Sequence, residues 1–150
     1  MDKFEIEEYL KQLDGRGSDK EFSAVKELSV LGVEFPKLLL EKYRNSKKWG
    51  ERASCLYHAS KYAVSSPHAF ELGIEALGDK SKVVRYRACL LLAIAQKSEA
   101  IKPLGTLISD PESSDDAKAA IDAIEQKNHH YFADRERSGM VTLNVEQLYR

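Results

Sequence analysis

Few residues of this 150-residue chain have the types and spacing that chemistry requires. Cys55 and His58 are three positions apart and would share one helix face, as two metal ligands could. Zinc takes three or four ligands. Cys89 and the His129-His130 pair are distant and show no paired spacing. The expectation is therefore a buried thiol beside a partly exposed imidazole, with no metal. Asp134-x-Glu136-x-Ser138-Gly139 outlines the start of a calcium loop. The twelfth position, where a bidentate glutamate belongs, is Val145, and Glu146 follows one residue late. A turn built on Ser138-Gly139 accounts for these residues better. Serines and histidines occur, but no nucleophile elbow and no Gly-rich loop. No catalytic residue, cofactor or metal ligand is expected, and so no enzyme.

Whatever the chain does must then rest on its surface, positioned by its elements. The length suits one domain with a core of its own. With 43% hydrophobic and 31% charged residues, the composition excludes a disordered or fibrous chain. Cys55 and Cys89 both fall in apolar helical patterns, as reduced thiols of a cytoplasmic protein would. The acidic start, Met1-Asp2-Lys3-Phe4-Glu5, lacks the apolar stretch of a signal peptide. The longest apolar run, residues 88–95, is far short of the roughly 20 needed to span a bilayer.

Helical periodicity dominates, cut by breakers at short intervals. The pattern predicts helices over Phe4 to Leu13, from a Ser18 or Asp19 cap to Gly32, and over Glu34 to Arg44. Further helices are expected over Trp49 to Val64, Ser66-Pro67 to Leu77, Lys82 to Ala95, Ala100 to Ile108, and Ser114 to Lys127. Inward stripes include Phe22, Val25 and Leu28; then Phe35, Leu38, Leu39 and Tyr43; then Ala53, Leu56, Tyr57, Ser60, Ala63 and Val64. The sixth helix is apolar on nearly all sides after Arg87, the mark of a helix between neighbours. Past Tyr131 the pattern changes. Val141, Leu143 and Val145 alternate, which predicts a short hairpin or extended tail, with a last helical turn over Glu146 to Arg150.

Two segments overlay. Trp49 to Asp79 and Val83 to Asp110 each read as a long helix, a turn, a second helix and a Gly/Ser-Asp stop. Aligning Cys55 with Cys89 gives an offset of 34; aligning Asp79 with Asp110 gives 31. Such periods signal a stacked repeat. Asp79-Lys-Ser-Lys-Val-Val84-Arg85-Tyr-Arg-Ala88-Cys-Leu resembles the HEAT family. Asp110-Pro111 with Ala119-Ala120 resembles a further unit, although Asp115-Asp116 stand where Val-Arg belongs. The resemblance covers about residues 46–127 and leaves a tail at 128–150. It implies an all-α, HEAT-like α-solenoid of antiparallel helix pairs, forming one domain over 1–150. It also implies a structural role for Arg85, paired with Asp79 or Asp110.

Charge is distributed unevenly. Residues 1–41 hold 6 Lys/Arg against 10 Asp/Glu, residues 42–103 hold 12 against 5, and residues 104–150 hold 5 against 9. The basic centre places Lys42, Arg44, Lys47, Lys48 and Arg52 about one inter-helix loop. Lys80, Lys82, Arg85 and Arg87 lie about the equivalent loop one repeat on. Equivalent loops of a solenoid stack along one edge, so a basic ridge is expected there. The acidic ends, with Asp115 and Asp116 as candidates, oppose a long nucleic-acid track. They suit a protein partner of mixed charge.

The stretch Asn128-His-His-Tyr-Phe132-Ala-Asp134-Arg135-Glu-Arg137-Ser138-Gly139 resembles the tail of small bacterial HEAT-like proteins encoded beside polymorphic toxins. On that resemblance the chain is similar to immunity proteins paired with contact-dependent growth-inhibition or Rhs toxins. A cytoplasmic monomer that covers the active site of a toxin C-terminal domain, often a nuclease, is what this implies. A generic scaffold or adaptor is the second reading, and nucleic-acid binding the third.

Overall fold

The computed structural model describes residues 1–144. Among them are eight α-helices and no strand: α1 (Lys3–Lys11), α2 (Asp19–Leu28), α3 (Glu34–Asn45), α4 (Trp49–Ala59), α5 (Pro67–Ala76), α6 (Lys82–Ala95), α7 (Ile101–Gly105) and α8 (Ser114–Glu125). Short 3-10 turns extend or link them at Ser29–Leu31, Ser60–Tyr62, Ser98–Ala100 and His129–Phe132. No described helix is long and apolar enough to cross a membrane.

The starts follow from local chemistry. Asp2, Ser18, Ser66 and Ser81 each accept a backbone N–H from the first turn of the helix they precede. This satisfies a donor that the helix leaves unpaired. Pro67 fits the first turn of α5, where its missing N–H costs nothing. α6 ends at Gln96 in the left-handed region, φ 57°. The Gln96 side-chain amide then donates to the carbonyls of Ala93 and, at 3.0 Å, Ala123, tying α6 to α8.

α4 packs on α6 and α6 on α8, while α3 packs on α5; α3–α4, α5–α6 and α7–α8 are neighbours in sequence and in space. Leu28, Phe35, Leu39, Leu56, Leu72, Leu91, Leu92, Leu104 and Phe132 are essentially fully buried between them. Each such side chain contributes about 1.5–3 kcal/mol relative to exposure. α5 and α6 approach closely because Gly73 has no Cβ; an added one would stand 2.8 Å from Leu91 Cδ2. Residues 91–95 of α6 are all buried, as expected of a helix enclosed by neighbours.

Several expectations are corrected. α4 stops at Ala59 and continues as a 3-10 turn over Ser60–Tyr62; Ser60 and Ala63 are buried as expected, but Tyr57, Val64 and Phe22 are exposed. Phe22 and Tyr57 meet edge to face at the surface between α2 and α4 rather than entering the core, and Val64 lies in the turn beyond the 3-10 residues. α7 spans only five residues, and turns replace its predicted end. No strand forms at Val141 or Leu143; Val145 and the turn over 146–150 lie outside the described residues. The chain folds back instead through Asp134. Its carboxylate accepts the Ser138 N–H and hydroxyl and the Gly139 N–H. Those bonds hold the Asp134 carboxyl below its ordinary value against the opposing effect of burial. The Leu143 N–H then donates to His130 Nδ1 at 2.9 Å.

Candidate functional site

The cations of the basic centre fall into two sets. Arg52, on the first turn of α4, reaches the α5–α6 loop. Its Nε donates to Asp79 Oδ2 at 2.8 Å, and Nη2 to Oδ1 at 3.2 Å. The Asp79 carboxylate also accepts the Tyr43 hydroxyl at 2.8 Å and the Ser81 N–H at 2.9 Å. Burial alone would raise the Asp79 carboxyl; Arg52, Ser81 and Tyr43 hold it below its ordinary value. Burial and the adjacent carboxylate push the Tyr43 phenol up. Arg52, expected on a binding surface, is instead a bracket between α4 and the next loop.

On α6, the Arg85 side chain is only 9% exposed. Its Nε donates to Ser113 Oγ at 2.7 Å, and Nη1 to the carbonyls of Asp79 and Lys80 at 2.8 and 3.0 Å. Asp110 and Glu112 stand farther off, at 3.7 and 3.8 Å. Arg85 therefore contacts Asp79 through its backbone, not its carboxylate, because Arg52 has taken that carboxylate. Arg44 is exposed but paired, reaching Glu71 and Glu75 of α5 at 3.0 Å.

The second set consists of lysines. Lys47, Lys48, Lys80 and Lys82 are exposed and Lys42 is half-buried. None has a carboxylate within 4 Å among the described residues. Lys47 and Lys80 border a groove of about 680 Å³ that Tyr43, Arg52 and Asp79 also line. Trp49 sits at this edge with 57% of its surface exposed. On the acidic side, Asp115 is exposed, whereas Asp116 is bonded to Arg135 at 3.0 Å.

A second site lies between α2 and α4, and its central residue is Glu21. The carboxylate is 3% exposed. Oε1 accepts the N–H groups of Gly15 and Gly17 at 3.0 and 3.2 Å. Oε2 accepts the Ser54 hydroxyl at 2.7 Å and lies 2.7 Å from His58 Nε2. Burial would raise the Glu21 carboxyl, but the bonds from His58, Ser54 and Gly17 outweigh it and keep it ionised. His58 must then donate through Nε2. Burial pushes the His58 imidazole below its ordinary value, against the pull of Glu21. The Ser54 hydroxyl is directed to the carboxylate, so the imidazole is not placed to take its proton. The cluster fastens α2 and the Gly15–Gly17 loop to α4.

No family model matches the chain, and no curated protein matches it.

Above Glu21 a cleft of about 230 Å³ opens, lined by Gly15, Gly17, Phe22, Ala53, Tyr57 and Arg87 among others. The Arg87 guanidinium lies 4.9 Å from the centre of the Tyr57 ring. Arg87 is visible in the sequence as part of the basic centre, but the cleft is not, because Glu21 is 33 and 37 residues from Ser54 and His58. Its sequence context marks Glu21 only as a first-turn acid. His58 is occupied by Glu21 and does not pair with Cys55 toward a metal. Among the described residues, no group of three or more His, Cys, Asp or Glu comes together that could hold an ion. Burial pushes the thiols of Cys55 and Cys89 up to about 12, so both stay protonated. A protonated thiol is a poor nucleophile and a poor ligand.

Proposed function

We propose that the protein is a HEAT-like α-solenoid that binds a partner protein through the edge carrying Lys47, Lys48, Lys80 and Lys82. The observation that carries this reading is the division among its cations. Arg52 and Arg85 are committed to neighbouring loops, while the lysines around them remain unpaired and exposed. The pairwise contacts α4–α6–α8 and α3–α5 support a stacked arrangement, in which equivalent loops share an edge. Trp49 provides an aromatic anchor at that edge, a residue type that dominates binding energy when covered. Four unpaired lysines attract an acidic surface and raise its rate of encounter.

Within this reading, the resemblance of Asn128 to Gly139 to the tails of immunity proteins specifies the partner as the C-terminal domain of a bacterial toxin, met in the cytoplasm. Neutralisation by occlusion needs no catalytic groups on the inhibitor. The test is co-expression with the product of the adjacent gene. The reading expects stoichiometric co-purification and protection of cells from that product. An adjacent product that neither binds nor harms cells would remove the immunity reading. Salt-sensitive binding to duplex DNA or RNA in its place would remove the protein-partner reading altogether.

A further inference from the structure

Arg87 differs from the other described arginines. Arg16, Arg44, Arg52, Arg85, Arg135 and Arg137 each have a carboxylate within 4 Å. Arg87 has none, and its one recorded contact of this kind is the Tyr57 ring. Glu21 does not explain it, since four other donors already occupy that carboxylate. An arginine seated on an aromatic face keeps the outer edges of its fork free and has surrendered part of its freedom in advance. It stands at a cleft whose walls, Phe22 and Tyr57, are 45% and 39% exposed and meet edge to face at 6.3 Å. The Gly15–Gly17 loop closes one end, with no side chain on either glycine to fill the space.

We infer that this cleft is an anchor pocket for a glutamate side chain presented by the partner protein. The inference rests on the docking reading above. The planar fork of Arg87 matches a carboxylate in a two-bond geometry. The aromatic walls suit the two methylenes that carry a glutamate carboxylate. A nucleic-acid backbone fits poorly here: it needs a row of cations, and this cleft holds one guanidinium with an ionised Glu21 beneath it. The location agrees as well. Gly50, Ala53, Ser54 and Tyr57 fall on one face of α4 at helical spacing. Tyr57 is thus roughly 13 Å along the helix from Lys48 at 1.5 Å per residue. One partner covering about 800 Å² would span both the lysine edge and the cleft. Its acidic surface would meet the lysines while one glutamate enters beside Arg87.

The test uses the full chain and a displayed library of random twelve-residue peptides, so it does not depend on the adjacent gene. Peptides that share an acidic residue next to apolar ones should be enriched. For a synthetic copy of the best peptide, replacing that glutamate by glutamine should weaken binding about tenfold or more, the scale of a lost charge-assisted pair. Arg87→Gln should lose as much with its helical signal unchanged. Arg87→Lys, which keeps the charge but not the fork, should fall between. Tyr57→Leu, which removes the seat, should also weaken binding and guards against misfolding of the arginine variants. Failure to enrich any peptide, enrichment of peptides without an acidic residue, or equal binding to Arg87→Gln overturns the inference. So does displacement of the peptide by inorganic phosphate at matched ionic strength. If the adjacent product binds normally to Arg87→Gln, the anchor falls and the docking reading stands.

Discussion

Arg52 and Asp79, 27 residues apart, form a two-bond ion pair whose side chains are 15% and 4% exposed. The pair joins the first turn of α4 to the loop between α5 and α6. Removing Arg52 would leave Asp79 with the Tyr43 hydroxyl and one backbone N–H. A hydrogen-bonded charge that loses its counter-ion in a largely buried place costs about 2–3 kcal/mol. Arg52→Ala should therefore lower the melting temperature by about 4–10 °C in a chain of this size. An unchanged melting temperature would return Arg52 to the binding surface.

Arg85→Ala should cost about 1–3 kcal/mol, because Ser113 and two loop carbonyls lose their donor. Denaturant unfolding with an unchanged slope should show it. The two losses should not simply add, since both arginines bond to Asp79, Arg52 to its carboxylate and Arg85 to its backbone carbonyl. Strict additivity in the double variant would contradict a shared anchor at Asp79.

The Glu21–His58 pair predicts how stability follows pH. Both groups are depressed on folding: His58 from its ordinary 6.5 and Glu21 from its ordinary 4.5. A depressed group contributes stability above its unfolded value and loses it as pH falls toward the folded value. The His58 contribution should decline below about pH 6.5, and that of Glu21 below about pH 4.5. Urea midpoints taken between about pH 7.5 and 5 should fall, and His58→Gln should flatten that part of the profile. A midpoint rising over that range in the parent protein would reverse the assigned direction.

Gly15 tests the same region sterically. Its φ is +83°, and an added Cβ would stand 2.2 Å from the Gly50 carbonyl oxygen. Backbone cannot yield as a side-chain tip can. Gly15→Ala should lift the loop, open the bonds of its N–H to Glu21, and raise hydrogen exchange at Gly17. The expected cost is about 2 kcal/mol or more, from strain and the lost bonds together. Exchange at Gly17 identical to the parent would refute the anchoring role of Glu21.

The helical stretches are legible because caps and breakers coincide with the apolar period, as at Ser18 and Ser66-Pro67. α6 was legible down to its enclosure. What escaped depends on distance along the chain. Arg52 and Arg85 are 33 apart while Cys55 and Cys89 are 34 apart, so aligning the cysteines hides the equivalence of the arginines. Glu21 meets Ser54 and His58 only through packing of α2 on α4. Tyr57 and Phe22 carry apolar rings that periodicity assigns inward, yet they wall an open cleft. The alternation at Val141 and Leu143 predicts a short hairpin or an extended tail, and no hairpin strand forms there among the described residues. No partner strand is available among the described residues, and Asp134 turns the chain instead.

In the proposed docking mode the unpaired lysines, not the arginines beside them, face the partner. The direct measurement is the association rate with the adjacent gene product, for the parent and for the combined Lys47→Glu, Lys48→Glu, Lys80→Glu and Lys82→Glu variant, over a range of salt. Arg52 is left intact so that the Asp79 bracket survives. Association should slow by about tenfold or more at low salt, the difference should shrink as salt rises, and thermal stability should be unchanged. Asp115→Lys should have little effect. Unchanged association in the lysine variant, with a large effect of Asp115→Lys, would place the docking surface at the acidic end instead of the lysine edge.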